Sequence, residues 1–502
     1  MASLTSVHPE LERLRSAIAE KVAADGIDAH QVAAFELAWA VARSEAAAAT
    51  EEWAQSTGDE LASLIAAAAR AEERSALTGQ TAVEAIEAGE ALARIGERYR
   101  PTEEVGDSDE QRLMRRSFRD FARQRISPLA QDIHRDNLDV PESIIGGTAE
   151  LGLFGLSVPE EYGGSQGGAP DYQTMLIVTE ELSRASLGAG GSLITRPEIL
   201  VRAILKGGTE EQKQRWLPAI ASGAKLVAVG VTEPDFGSDV AALGCRAEAA
   251  PDGGWTLNGA KLWCTFAGRS ELLMLLCRTG AAGHRGLSVF VAEKPAFPGH
   301  EFEHHQPGGG VLRGRAIPTI GYRGMHTFEL AFEGYRLPPG SLVGGEDWLD
   351  RGFYLQMDGF SMGRLQTAGR AVGVMQAALS DAHEYARSRA VFGRPVADYQ
   401  LPQSMLGRMA VRVNAARQLN YRAARLLNEE SPDGQMAASL AKLYASRMAE
   451  AVTRDAMQLH GGMGYGEETD VSRYFVDARV LAIFEGAEEI LAIRVIAKSL
   501  LG

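Results

Sequence analysis

Four short strings in this chain bring together residue types that could do chemistry. The first is Val231-Thr232-Glu233-Pro234-Asp235-Phe236-Gly237-Ser238-Asp239. Its hydroxyls, its backbone N–H groups and a glycine permitting close approach suit a planar polar heterocycle or a phosphate. Alone, such a polar turn is more often a plain loop. The second is Asn258-Gly259-Ala260-Lys261-Leu262-Trp263-Cys264-Thr265. Strand alternation puts Lys261, Trp263 and Thr265 on one face, offering a stacking plane and a hydroxyl to one ligand. A Trp in a sheet is equally a core residue.

The third string, Gln458-Leu459-His460-Gly461-Gly462-Met463-Gly464-Tyr465, continues to Glu468, Arg473 and Asp477. A helix that breaks into Gly-Gly-x-Gly presents N–H groups to a phosphate, although glycine also ends helices routinely. The fourth is Ile483-Phe484-Glu485-Gly486-Ala487. A carboxylate between an apolar pair and a glycine suits a general base. The plainer reading is a Glu near a helix start, where it complements the dipole.

The elements that must hold these strings follow from the hydrophobic pattern. Helical spacing marks residues 9–24, 28–55 and 58–74, with Asp28 and Asp59 as N-caps. Trp39 and Trp53 argue for burial of this first unit. A linker is expected over 99–106. A helix then starts at Ser108 with Gln111 in capping-box spacing, and Pro128 ends or kinks it. Short apolar runs at 226–231, 255–257, 261–266, 272–277, 287–293 and 328–332 predict strands. Asp252-Gly253-Gly254 and Asn258-Gly259 are the expected hairpin turns between them. Long helices return at 352–388, 403–428 and 435–460. Segregated helical and strand runs predict an α+β fold. The expected domains are 1–105, 106–225, 226–345 and 346–502.

The 502 residues carry 51 Lys+Arg against 66 Asp+Glu, a net charge of −15. Such a balance disfavours nucleic acid, which rewards cationic proteins. Cys245, Cys264 and Cys277 cannot form a disulfide framework, which fits a reducing cytoplasm. No signal peptide, membrane insertion or metal ligand set is expected.

Taken together, the types, order and separations of the four strings resemble the acyl-CoA dehydrogenase family of flavoproteins, over about Ser108 to Gly502. Glu150-Leu151-Gly152-Leu153-Phe154-Gly155-Leu156, running on to Gly163-Gly164, resembles the family's helix end and turn. Arg389-Ala390-Val391-Phe392-Gly393, with Gln400 downstream, resembles its Arg-x-x-Phe-Gly segment. The resemblance implies a helical domain, a small β-barrel domain and a C-terminal four-helix bundle, here with an extra N-terminal helical domain. It implies FAD as cofactor, an acyl-CoA substrate and an electron-transfer flavoprotein as electron acceptor. It also implies a homodimer or homotetramer, since the Arg-x-x-Phe-Gly segment reaches a neighbouring subunit's FAD.

By the same resemblance, Val231, Thr232, Gly237, Ser238, Trp263 and Thr265 lie around the flavin, with Thr265 near N5. Arg389, Phe392, Gln458, Gly461 and Gly462 hold the pyrophosphate and adenosine end. Glu485 is the base, and Ser238, Arg364 and Gly486 contact substrate. The chain departs from the family at Phe236, where a small residue is usual, and at Ala487, where Thr is usual. It departs again at Ser361, where many relatives place an acid that helps to hold CoA. An acyl carrier protein thioester is therefore the alternative carrier, and an oxidase or flavin monooxygenase the alternative chemistry. Gly363 occupies the position of the base in some relatives, so Glu485 has no rival there. Thr195-Arg196-Pro197-Glu198-Ile199-Leu200 and Gly321-Tyr322-Arg323-Gly324-Met325 resemble (2S)-methylsuccinyl-CoA dehydrogenases, which also carry an extra N-terminal helical region. Arg196, with Arg323 as second candidate, is expected to meet a distal substrate carboxylate through bidentate geometry.

Overall fold

A computed structural model describes residues 9–101, 107–168 and 170–501, apart from the side chains of Ala82, Asp358 and Ser361. The expected 105/106 boundary, most of the 99–106 linker and the Ser361 side chain thus lie outside the described residues. In chain order the first helices are α1 (Pro9–Asp25), α2 (Gln31–Thr57), α3 (Glu60–Thr78), α4 (Ala82–Arg98) and α5 (Asp109–Arg125). Next come α6 (Ser127–Arg135), α7 (Glu142–Glu150), α8 (Tyr172–Ala185), α9 (Thr195–Gly207) and α10 (Glu210–Ala221). The strands are β1 (Val227–Gly230), β2 (Arg246–Ala249), β3 (Trp255–Thr265), β4 (Leu272–Arg278), β5 (Leu287–Glu293), β6 (Glu301–His305), β7 (Val311–Ala316) and β8 (Thr327–Leu337). Then follow α11 (Gly352–Ser388), two short strands β9 (Ala390–Val391) and β10 (Arg394–Pro395), α12 (Gln400–Asn428), α13 (Gly434–His460), α14 (Gly462–Tyr465) and α15 (Asp470–Val480). Helices flank one run of strands, which is the α+β order expected.

The chain divides into two compact units. The first comprises Met1–Arg123, Tyr172–Leu187 and Arg364–Gly502. It is all-helical apart from the β9–β10 pair. Asp59 caps α3, its Oδ1 accepting from the N–H of Ala62 at 2.8 Å. Asp28 does not cap α2. A 3-10 turn over Ile27–His30 intervenes, and Asp28 instead accepts from Gln31 and pairs with Arg494 at 2.8 Å. Ser108 and Gln111 form the expected reciprocal box, at 2.9 and 3.2 Å.

Helix α4 lies against α12 through two glycines. A Cβ on Gly407 would sit 1.8 Å from the carbonyl oxygen of Leu92, and one on Gly96 would sit 2.0 Å from that of Gln403. Only residues without side chains let two backbones meet this closely. Arg422 of α12 pairs with buried Glu45 of α2 at 2.8 Å. Arg115, 1% exposed, donates to Asp107, Glu180 and Glu181 at 2.9 Å each and also to Tyr421. Four of its N–H donors are matched by carboxylates and a hydroxyl, which is what a buried guanidinium requires.

The second unit comprises Gln124–Asp171 and Gly188–Gly363 and holds one eight-stranded sheet. Strand order is β1-β4-β2-β3-β8-β7-β6, with β5 pairing β4. Pro128 sits in the first turn of α6, just past the end of α5, as its missing N–H dictates. The 252–254 turn joins β2 to β3 as expected. Asn258-Gly259 is no hairpin turn. It lies within one continuous strand, β3, at a register shift against β8. Gly259 has φ +134 and its missing Cβ leaves room for Cys245, so the glycine marks a bulge rather than a reversal.

Candidate functional site

In the first unit the fourth string forms a strained turn. Glu485 has φ 53 and Gly486 φ 97, two successive left-handed residues. A Glu there costs conformational energy, the sort of outlier that functional sites retain. The turn precedes a short helix over Glu488–Ile490 whose N-cap is Ala487, so Glu485 is no first-turn residue. Its Oε2 is buried and has no hydrogen-bond partner among the described residues.

Three cations on neighbouring helices shape this turn. Lys442 of α13 donates to the carbonyl oxygen of Gly486 at 2.6 Å. Burial pushes the Lys442 amine down to about 7, against the opposing pull of Glu485 and Glu488. Burial likewise lowers the Arg364 guanidinium, with Glu485 opposing. Arg364 Nε is buried and unpaired among the described residues, and its Nη1 reaches Ser439 at 3.4 Å. Arg370, fully buried, lies 4.5 Å over the Phe484 ring. A carboxylate with an open oxygen among positive charges can take up a proton and tolerate an anionic ligand beside it.

Arg447 ties this turn to the N-terminal helices. It pairs with Glu488 at 3.3 Å and lies over the rings of Phe35 and Trp39 of α2 at 5.0 and 4.8 Å. Trp39 also stacks on Tyr444. The third string ends α13 at Gly461, where φ is 58, and Cβ atoms on Gly461 or Gly462 would meet nothing within 4 Å. Gln458, Gly461, Gly462 and Arg389 are exposed, and Phe392 is 98% exposed at φ 49. Arg473 and Asp477 are instead buried in α15.

In the second unit, strand alternation fails at the second string. The β3–β8 register shifts between Lys261 and Cys264, and Trp263 has φ 58. Lys261, Trp263 and Thr265 therefore do not share a face as expected. Lys261 is fully buried and donates to Glu233 at 2.7 Å and to the carbonyls of Val231 and Leu276 at 3.0 and 2.6 Å. The bulge frees Trp263, 55% exposed, while Thr265 is buried with its Oγ1 3.2 Å from that of Thr327.

The same Lys261–Glu233 pair anchors the first string. Glu233 also accepts from the N–H groups of Gly244 and Cys245, at 2.7 and 2.9 Å. The N–H of Leu262 donates to the carbonyl of Thr232 at 2.7 Å. Gly237 and Ser238 stay exposed at the loop tip. Phe236 turns against the hydrophobic core instead of crowding the loop. An open indole plane, a hydroxyl pair and a pinned polar loop fit a flat heterocycle with hydrogen-bonding edges.

Arg196 opens α9. It is 6% exposed, its Nη1 has no partner among the described residues, and its guanidinium lies 5.8 Å from the Tyr322 ring centroid. Arg323 commits two donors to main-chain carbonyls: Nε donates to Thr319 O at 3.0 Å and Nη1 to His134 O at 2.6 Å. Sequence reasoning missed Lys442, Arg447, Thr327 and the Glu233 anchor. Only the last had a signal, an acid in one string and a lysine in the next.

Sequence models of the acyl-CoA dehydrogenase family match nearly all of the chain after residue 107. The N-terminal domain matches residues 108–224, the middle domain 228–335 and the C-terminal domain 350–501. The chain is 36% identical to the (2S)-methylsuccinyl-CoA dehydrogenase of Cereibacter sphaeroides, over 99% of this chain and 97% of that one. Butyryl-CoA dehydrogenase of Megasphaera elsdenii superimposes with a TM-score of 0.72 at 30% identity, covering 80% of this chain and 100% of its own. A glutaryl-CoA dehydrogenase in complex with glutaryl-CoA gives 0.69 at 32% identity, over 80% and 97%. Among these three, the match to the methylsuccinyl-CoA enzyme extends across almost the whole of this chain.

Proposed function

This chain belongs to the acyl-CoA dehydrogenase family, and we propose that, with FAD as cofactor, it dehydrogenates the α,β bond of a carboxylate-bearing acyl-CoA such as methylsuccinyl-CoA. The observation that carries the reading is the Glu485–Gly486 turn, with its open, buried carboxylate oxygen. FAD, when bound, supplies a hydride acceptor at N5 for the hydrogen leaving the β-carbon.

Glu485 takes the α-proton at Oε2. A thioester α-proton is weakly acidic, so charge building on the thioester oxygen must be met by donors already in place. The N–H of Glu485 is one. Lys442 holds the adjoining Gly486 carbonyl and so keeps this backbone from relaxing out of its strained form. Gly486, Arg364 and Ser238 bind the substrate. Val231, Thr232, Gly237, Ser238, Trp263 and Thr265 hold the flavin, and Thr265 donates near N5. Arg389, Phe392, Gln458, Gly461 and Gly462 hold the pyrophosphate and adenosine end. Arg389 and Phe392 do so for a second copy of the chain, in a homodimer or homotetramer. That role gives a 98% exposed phenylalanine a surface to cover.

Arg196 supplies the distal specificity. A buried guanidinium with a free Nη1, braced on Tyr322, is prepared for a carboxylate. Arg323, spent on main-chain carbonyls, shapes the segment that carries Tyr322. An electron-transfer flavoprotein reoxidises the enzyme. The family domains fall at 106–225, 226–345 and 346–502, with 1–105 as an added helical unit.

Anaerobic bleaching of the flavin by a panel of thioesters tests the proposal. Methylsuccinyl-CoA should bleach the flavin fastest. Bleaching by straight-chain thioesters alone would overturn the dicarboxylate assignment, and reaction only with acyl carrier protein thioesters would overturn the CoA assignment. Rapid oxygen consumption with peroxide release would point to an oxidase.

A further inference from the structure

Away from these residues, three side chains from distant parts of the second unit converge on one point. Asp139 lies between α6 and α7, His300 just before β6, and His326 just before β8. Their ligating atoms all lie within 4.8 Å of one another. His300 Nε2 is 3.1 Å from His326 Nε2, and His326 Nε2 is 2.8 Å from Asp139 Oδ1. The carbonyl oxygen of Asn137 is 3.2 Å from His300 Nε2. We propose that Asp139, His300, His326 and the Asn137 carbonyl form a site for one divalent cation of borderline character, zinc being the best match.

The proton count argues for it. His326 Nε2 faces a carboxylate oxygen and His300 Nε2 faces a carbonyl oxygen, so each calls for a hydrogen on that nitrogen. Two protonated nitrogens would then lie 3.1 Å apart, with neither able to accept from the other. Removing one hydrogen repairs the nitrogen pair but leaves an oxygen facing a lone pair. A cation resolves all the contacts together, since with hydrogen on each Nδ1 the four atoms are all acceptors. Bonds of about 2.0–2.1 Å in a tetrahedron set ligand atoms about 3.3 Å apart. Three of the six separations, at 2.8–3.2 Å, are close to that spacing, and the Asp139 and His300 atoms lie within 4.8 Å, near enough for a small rotamer change to close the set.

The surroundings are those of a ligand set. The other carboxylate oxygen, Asp139 Oδ2, accepts from the N–H of Gly299 at 2.8 Å, which fixes its orientation. Asn137 and His326 both have positive φ, 52 and 47. Strain at two of four contributors is explained if something holds them together. Asp139 and His300 are exposed, so the ion has a path in, while His326 is buried. Two imidazoles with one carboxylate select zinc over the harder calcium and magnesium.

The ion would act as a clip. The N–H of Val140 already donates to the Gly324 carbonyl at 3.0 Å, and Thr327, next to His326, touches Thr265. The site thus braces the segment that carries Tyr322, independently of the assigned reaction. The test uses the purified full-length flavoprotein, stripped with a chelator and titrated with zinc chloride alone. About one zinc per chain should bind, raising Tm. His300→Ala and Asp139→Asn should each weaken binding by about 100-fold or more. Both positions are exposed, and flavin content reports their folding. His305→Ala, at an exposed histidine paired with Glu303, should leave it unchanged. Failure of the stripped protein to bind zinc, or binding unaltered by both variants, would overturn the proposal.

Discussion

Lys442 donates a hydrogen bond to the carbonyl oxygen of Gly486, one residue beyond the carboxylate with the open oxygen. A buried amine with its affinity for protons lowered to about 7 is thereby tied to the backbone of the Glu485–Gly486 turn. The sign of its effect follows. The unfolded chain holds this proton up to about 10.5, the folded chain only to about 7. Between those values the unfolded state binds more protons, so stability rises with pH. Denaturant titrations at several pH values should show wild type gaining on Lys442→Met from pH 7 to 10. A parallel pair of profiles would refute this. Turnover of the variant should fall about tenfold, because the Gly486 carbonyl loses the donor that holds the strained turn.

Glu485→Gln should keep FAD and substrate binding while slowing flavin reduction by about 10²- to 10⁴-fold, the range of a lost general base. Stopped-flow bleaching measures it. Retention of more than a tenth of the wild-type rate would move the base elsewhere.

Arg196→Met should cost a dicarboxylyl-CoA about 3 kcal/mol in kcat/KM, since the partner charge is left unpaired. That is about a hundredfold. Butyryl-CoA should be affected little or should improve. An equal loss for both thioesters would make Arg196 a structural residue.

Gly407→Ala should destabilise the chain by about 3 kcal/mol, because the new methyl meets the backbone of Leu92 and has nowhere to go. Gly89→Ala, on the same α4 but in open space, should gain about 0.5–1 kcal/mol. Thermal melts of the pair would show opposite signs. Two similar losses would contradict the contact.

Long periodic helices and the order of helix, sheet and helix were legible because periodicity reports burial. So were the caps at Asp59 and Ser108, where side-chain chemistry and sequence spacing coincide. Helix α4 escaped notice although Thr81 and Glu84 form a full capping box, because only Leu92 and Ile95 of its large apolar residues are buried, Val83 and Ile86 are exposed, and a glycine makes its closest contact. Strands β2, β6 and β7 were missed for a related reason. They are short and mix charges with few apolar residues, and β2 and β6 are largely exposed. The Trp263 bulge could not be read at all, since alternation assumes an unbroken ladder. Nor could the convergence of Asp139 with His300 and His326, which the fold alone brings together.

The glycine crossing of α4 and α12 bears on what residues before 100 can do. Two rods in backbone contact, locked by a carbonyl on either side, cannot slide past one another by a fraction of a turn. A pull or push delivered to α4 is carried into α12 as into a welded strut, with no slack to absorb it. Helix α4 thus braces α12, and anything that grips α4 grips the long helix beside it.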